Sequence, residues 1–217
     1  MLGELDAAVS AHLGVPRRRS RVLAIEVLSV ALGIRPAVLN DFAAASRDAA
    51  VRFVREAAQI HPVLGGLRCV WVDGPDFLFV VSAEAVAAQA VCSSVAFVDL
   101  EERQVHCVVP LTGLLLGYPV VLAISDPQGN CLSMVPLRLF EIHATLSASL
   151  GRSAGRGAAE QVQLLSFTVP EQLLEACRPQ IDSFLAAIAA MPRQRHAGML
   201  EDIHVVQTTV VKPQVVM

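Results

Sequence analysis

Between Gln104 and Ser125 the chain runs for 22 residues without an Asp, Glu, Lys or Arg. A helix of that length spans a bilayer, so this run decides what kind of molecule the chain can be. Pro110, Gly113, Gly117 and Pro119 punctuate it. Pro119 deletes a backbone donor, and lipid offers the freed carbonyl no partner. The run is therefore expected to divide into a short helix around Leu111–Leu116, a turn at Gly117-Tyr118 and a buried strand over Val120–Ile124. A second apolar stretch, Phe77–Val98, is interrupted by Ser82 and Glu84. No transmembrane span is expected.

The remaining composition points to a folded domain. Hydrophobic residues make up 54% of the 217 and charged residues only 17%, too much apolar surface to leave unburied. That excess also favours a surface for a protein partner or for self-association. A net charge of −3 carries no global basic field, so nucleic acid is not an expected partner. Cys69, Cys92, Cys107, Cys131 and Cys177 are odd in number, and no C-x-x-C pair occurs. They read as buried thiols in a reducing compartment. Acids at Glu4 and Asp6 stand where a secretory signal needs base. A cytoplasmic or nuclear location, not secretion, is the expectation.

Periodicity supplies the elements. Arg21–Leu32 repeats apolar residues at helical spacing through Val22, Ile25, Leu28 and Leu32, and Gly33 stops it. Pro36–Leu39 is a short strand ending at Asn40-Asp41. Asp41 is placed to cap a helix over Phe42–Ile60 with Val51, Val54 and Ala58 on its core face. Leu67–Val72 and Phe77–Val81 flank Asp73-Gly74-Pro75-Asp76 as a β-hairpin. A helix over Ala83–Val91 and a strand over Val95–Val98 follow. Strands then dominate: Cys131–Met134, Leu137–Thr145, Gln163–Val169 and Ile203–Val211. The exception is a helix opened by Pro170, which Pro179 is expected to kink or divide. These elements predict an α/β protein, a single layered domain over residues 21–217 with a mixed β-sheet flanked by helices. Residues 1–20 are expected as a flexible basic flank and residues 147–160 as a mobile loop.

Several residues can carry chemistry. Asp41 and Asp99 each end a short apolar strand, where α/β sheets bind ligands, and two carboxylates there can hold Mg²⁺ for work on a phosphorylated ligand. The same residues serve equally as a helix cap and a turn cap. Cys131 with His106 or His143 can act as thiol and base, yet no protease signature precedes it and a buried structural thiol explains it as well. His106-Cys107 are strand neighbours that point to opposite faces, a poor shared metal site. The one lysine, Lys212, leaves no phosphate-loop lysine. Arg17-Arg18-Arg19 with Arg21 can bind phosphate or act as a nuclear address, or simply form a solvated flank.

Gly113-Leu114-Leu115-Leu116-Gly117-Tyr118-Pro119-Val120, Asn130-Cys131-Leu132 and Pro136-Leu137-Arg138-Leu139-Phe140 occur in that order. Arg35–Leu39 before Asp41, Ala96-Phe97-Val98-Asp99 and Ser166–Glu171 accompany them. Together they resemble the uncharacterised protein family that includes the product of human chromosome 1 open reading frame 74. The resemblance covers nearly the whole chain. It implies no activity, cofactor or catalytic residue. It does imply that Leu100–Thr112 is short, since the family carries a long segment there, and that Phe42 stands where relatives tend to have cysteine. The function is therefore unknown. A non-catalytic partner-binding or self-associating protein stands slightly ahead of a metal-dependent enzyme using Asp41 and Asp99.

Overall fold

The first twenty residues build core. In the computed structural model, which describes residues 1–40, 45–73, 77–84, 95–99, 108–121, 134–147, 160–195 and 199–211, helix α1 spans Leu2–His12. Leu2, Leu5, Ala8 and Val9 recur along it and are all buried, so the expected flexible flank is instead a packed helix. Helix α2 follows at Arg17–Ala31. Ser20 ties the two together, its hydroxyl donating to the Asp6 carboxylate and to the Arg17 carbonyl.

Gly33, at φ +72°, ends α2. Its N–H reaches the Val30 carbonyl and that of Ile34 reaches Ser29, which satisfies the last turn. The chain then enters strand β1, Ala37–Asn40. Helix α3, Arg47–Ile60, is capped by Ser46, whose side chain accepts from the Ala49 N–H at 3.2 Å. The cap expected at Asp41 is thus replaced by a serine five residues later. Asp41 itself lies outside the described residues.

Strands β2 (Leu67–Asp73) and β3 (Phe77–Ser82) form the expected antiparallel hairpin. Strand β4 (Val95–Asp99) adds parallel to β2. The order β1-β3-β2-β4 makes a mixed sheet. One face, with Val38, Cys69, Trp71, Leu78 and Val80, joins the main core with α1, α2 and α3. The other face, with Ala37, Phe79 and Val81, meets Leu116 just beyond helix α4, Val108–Leu115. Strict alternation places each set on its own side.

A second, antiparallel sheet has the order β6-β5-β7, from strands β5 (Pro136–Leu146), β6 (Glu160–Pro170) and β7 (Leu200–Val211). The strands therefore divide between two sheets, one of them mixed. Leu165 pairs with Ile142 while Gln163 pairs with His143, so Leu164 is an extra residue on β6. That bulge resets the alternation, and Val162 and Leu164 before it and Leu165, Phe167 and Val169 after it are all buried. Helix α5, Leu174–Arg195, lays Ile181 and Ile188 into the same core. It runs continuously through Pro179. The loss of one backbone donor does not divide it.

Among its described residues the uncharged run holds the eight-residue α4, ended by Gly117 at φ +70°. Val120 and Val121 carry no strand, and residues 122–124 lie outside the described residues. Among the described residues no helix is long and apolar enough to cross a membrane. The helix expected at 83–91, the strand at 131–134 and the loop at 147–160 likewise fall wholly or largely outside them.

Candidate binding groove

Three pieces of sequence far apart in the chain close on one point. Gly117 lies against Pro36, and a Cβ built on it would sit 2.5 Å from the proline Cγ. Only glycine tolerates both that approach and the positive φ. The turn it makes places Tyr118 with its ring centroid 6.5 Å from that of Phe167 on β6. Arg35, immediately before Pro36, is 4% exposed. Its Nε donates to the Ala37 carbonyl at 2.8 Å, and a terminal nitrogen lies 3.4 Å from the Glu26 carboxylate on α2. Burial raises the Tyr118 pKa above its ordinary value, the Arg35 charge opposes that rise, and Glu26 adds to it.

These groups form one end of a groove of about 390 Å³ between α2 and β6. Its helical wall is Val22, Ile25 and Glu26, and its other wall is every residue of β6 from Glu160 to Ser166. Side chains alternate across a strand, so seven consecutive residues line one groove only when it follows the strand's edge. Among the described residues β6 is an edge strand, paired on one side by β5. The groove is therefore bordered by backbone N–H and C=O groups, by the amides of Gln161 and Gln163, and by the Ser166 hydroxyl. Arg21 spans from α2 to Glu160, with its nitrogen 2.5 and 2.6 Å from the two carboxylate oxygens.

Val22 and Ile25, expected on the core stripe of α2, are the wall of this groove. Val22 is 58% exposed. The helix and its C-cap bury Leu23, Ala24 and Val27 together with the expected Leu28 and Leu32, and Ile25 is half-buried against the same core. Two apolar stripes run along α2, and periodicity does not say which one meets the sheet.

The other expected site residues are not gathered there. β1, β2 and β4 all run the same way, so their C-terminal ends share one edge of the mixed sheet. The end of β1 at Asn40 and the end of β4 at Asp99 are separated by β3 and β2, three strand spacings or roughly 14 Å. Asp41 follows Asn40 outside the described residues. Asp73, not singled out from sequence as a site residue, is the register partner of Asp99 on the adjacent parallel strand. Asn40 is 3% exposed; its Nδ2 donates to the Leu13 carbonyl at 3.1 Å, and its Oδ1 has no partner among the described residues.

Cys131 and His106 lie outside the described residues. His143 stands across from His204 on β7, with ring centroids 5.7 Å apart. No group of three or more His, Cys, Asp or Glu among the described residues is arranged to hold a metal. Arg17, Arg18 and Arg19 are exposed on the first turn of α2.

No solved structure matches the chain. A family described as a domain of unknown function, DUF4504, matches residues 7–110 and 106–217. Those two segments span almost the whole sequence, and they include Arg35, Gly117, Tyr118 and all of β6: the chain belongs to this family of unknown function.

Proposed function

We propose that the protein is a non-catalytic binding protein that takes an extended segment of a partner protein along the open edge of β6. The observation that carries this reading is the unbroken lining of the groove by residues 160–166. An edge strand presents unpaired donors and acceptors that an added strand satisfies, while side-chain pockets supply selectivity. Val22 offers the apolar contact, and the Arg35, Glu26 and Tyr118 end offers the polar one. Kinship with the product of human chromosome 1 open reading frame 74 belongs to the same reading. So does a segment missing near 100–112, which the meeting of the two family matches at 106–110 supports. Five cysteines without a C-x-x-C pair favour a cytoplasmic or nuclear setting.

The test is selection from a displayed library of random linear peptides on the purified full chain. Peptides recovered on the wild type should bind Val22→Asp about tenfold more weakly, about 1.4 kcal/mol. The thermal midpoint of that variant should be unchanged, because the site is exposed. Recovery of no peptide, or equal binding to the variant, removes this reading.

A second reading is a metal-dependent enzyme acting on a phosphorylated ligand through Asp41 and Asp99; the common direction of β1 and β4 supports it, and their ends, three strand spacings apart, stand against it. A thermal midpoint that rises with Mg²⁺, and stops rising in Asp41→Asn and in Asp99→Asn, is its expected signature. A midpoint indifferent to Mg²⁺ in the wild type ends it.

A further inference from the structure

Among the described residues β7 is the other edge of the antiparallel sheet, and from His204 onward its pairing with β5 is regular. It is twelve residues long and pairs only with β5 among the described residues. From Ile203 to Val211 it has no Asp, Glu, Lys, Arg or Pro, and five of those nine residues are Val or Ile. Residues 206–209 and 211 are exposed, Val206 to 38% and Val211 to 51%. Edges of this length and composition pair with another strand unless a charge, a proline or a covering element prevents it. Here the nearest irregularity is the left-handed Asp202, φ +51°, at the far end of the run.

The charges that bound the run select the partner. Glu201 and Asp202 precede it, and Lys212, the chain's one lysine, follows it. A second copy laid antiparallel brings the acidic end of each run to the basic end of the other. A parallel copy sets like charge beside like. The exposed residues of the run centre on Gln207, where the two-fold axis is placed. Val206 then falls opposite Thr208, Val205 opposite Thr209, and Gln207 opposite itself. A two-fold interface requires this kind of self-complementary surface. We infer that β7 joins two copies of this chain edge to edge, as a continuous six-stranded antiparallel sheet. This pairing uses the opposite edge of the sheet from the β6 groove and does not depend on it.

Sedimentation velocity on the full chain, across a dilution series, tests the inference. The wild type should be a dimer that dissociates on dilution. The double variant Val206→Lys/Thr208→Lys sets like charges against each other twice across the axis and should be monomeric. The double variant Val206→Lys/Thr208→Glu sets opposite charges at the same places and should return to the wild-type dimer. All three should melt cooperatively by circular dichroism, because both positions are exposed. A wild type that stays monomeric at high micromolar concentration overturns the inference. So does a Lys/Lys variant that stays dimeric, or a Lys/Glu variant that is folded but monomeric.

Discussion

Two glycines four residues apart, Gly113 and Gly117, show how much one Cβ decides. At Gly117 an added methyl meets the Pro36 ring at 2.5 and 2.7 Å, and φ is +70°. Left-handed backbone costs an L-residue about 1–2 kcal/mol and overpacking about 1–3 kcal/mol, so Gly117→Ala should destabilise by about 2–5 kcal/mol. At Gly113, inside α4, the same methyl meets the Val121 side chain at 3.3 and 3.4 Å and the Tyr118 ring at 3.7 Å. A helix-propensity gain of about 1 kcal/mol offsets those contacts, so Gly113→Ala should be near neutral. Urea midpoints of the two variants check the contrast. Cys69 is a second decisive residue. Burial pushes its thiol from the ordinary 9.0 up to about 12. Below pH 9 the thiol is protonated in both folded and unfolded chains and pH has no purchase on it. Between 9 and 12 only the unfolded chain releases the proton, so stability falls as pH rises, by up to about 1.4 kcal/mol per pH unit. Cys69→Ala should flatten the alkaline slope of the urea midpoint, though Tyr118, also raised, leaves part of it in place.

Element ends follow local chemistry that is partly visible in the chain. Gly33, the hairpin around residues 73–77 and the strand at Ala37–Asn40 were all legible, because glycine geometry and alternation act over a few residues. The start of α3 was not. Asp41 and Ser46 are both good caps, and what chose Ser46 is the burial that begins with Ala49 and Ala50. Ser46→Ala should therefore cost about 1 kcal/mol, read as a lower urea midpoint with an unchanged slope. The exposure of Val22 on α2 has a similar origin. Val22 is as apolar as Leu23 and Val27, and only the position of α1 and the two sheets decides which of them is covered. Reading Val22 as core conceals the groove, since Val22 is part of its wall. The polar alternation of Glu160, Gln161 and Gln163 beside buried Val162 and Leu164 was the available signal for β6. It marks an exposed edge but says nothing of the helix opposite it. Asp73 escaped notice as a site residue for another reason: register between β2 and β4 is a long-range property that spacing does not contain.

For the whole molecule the question is whether two sheets make one cooperative unit. Arg21 and Glu160 link α2 to β6, yet both side chains are 36% exposed, and solvent screening keeps such a pair worth little. Phe167 is the stronger joint. It stacks on Phe140 at 4.8 Å, meets Phe184 of α5 edge-on at 5.6 Å, and lies 6.5 Å from Tyr118, which belongs to the turn packed on the mixed sheet. Phe167→Ala should cost about 3–5 kcal/mol, a large share of an ordinary domain's stability. The chain's one tryptophan, Trp71, is buried on β2 in the other sheet and reports there alone. If the continuous core couples the sheets, Trp71 fluorescence and far-ultraviolet circular dichroism should lose structure at one shared, lower urea midpoint in Phe167→Ala. A Trp71 midpoint that stays at its wild-type value while the circular dichroism splits would mean that the antiparallel sheet unfolds by itself. Binding at the β6 groove, whose other wall is α2 with Arg35 and Tyr118, would then be lost when either part unfolds, so substitutions in both sheets would weaken it.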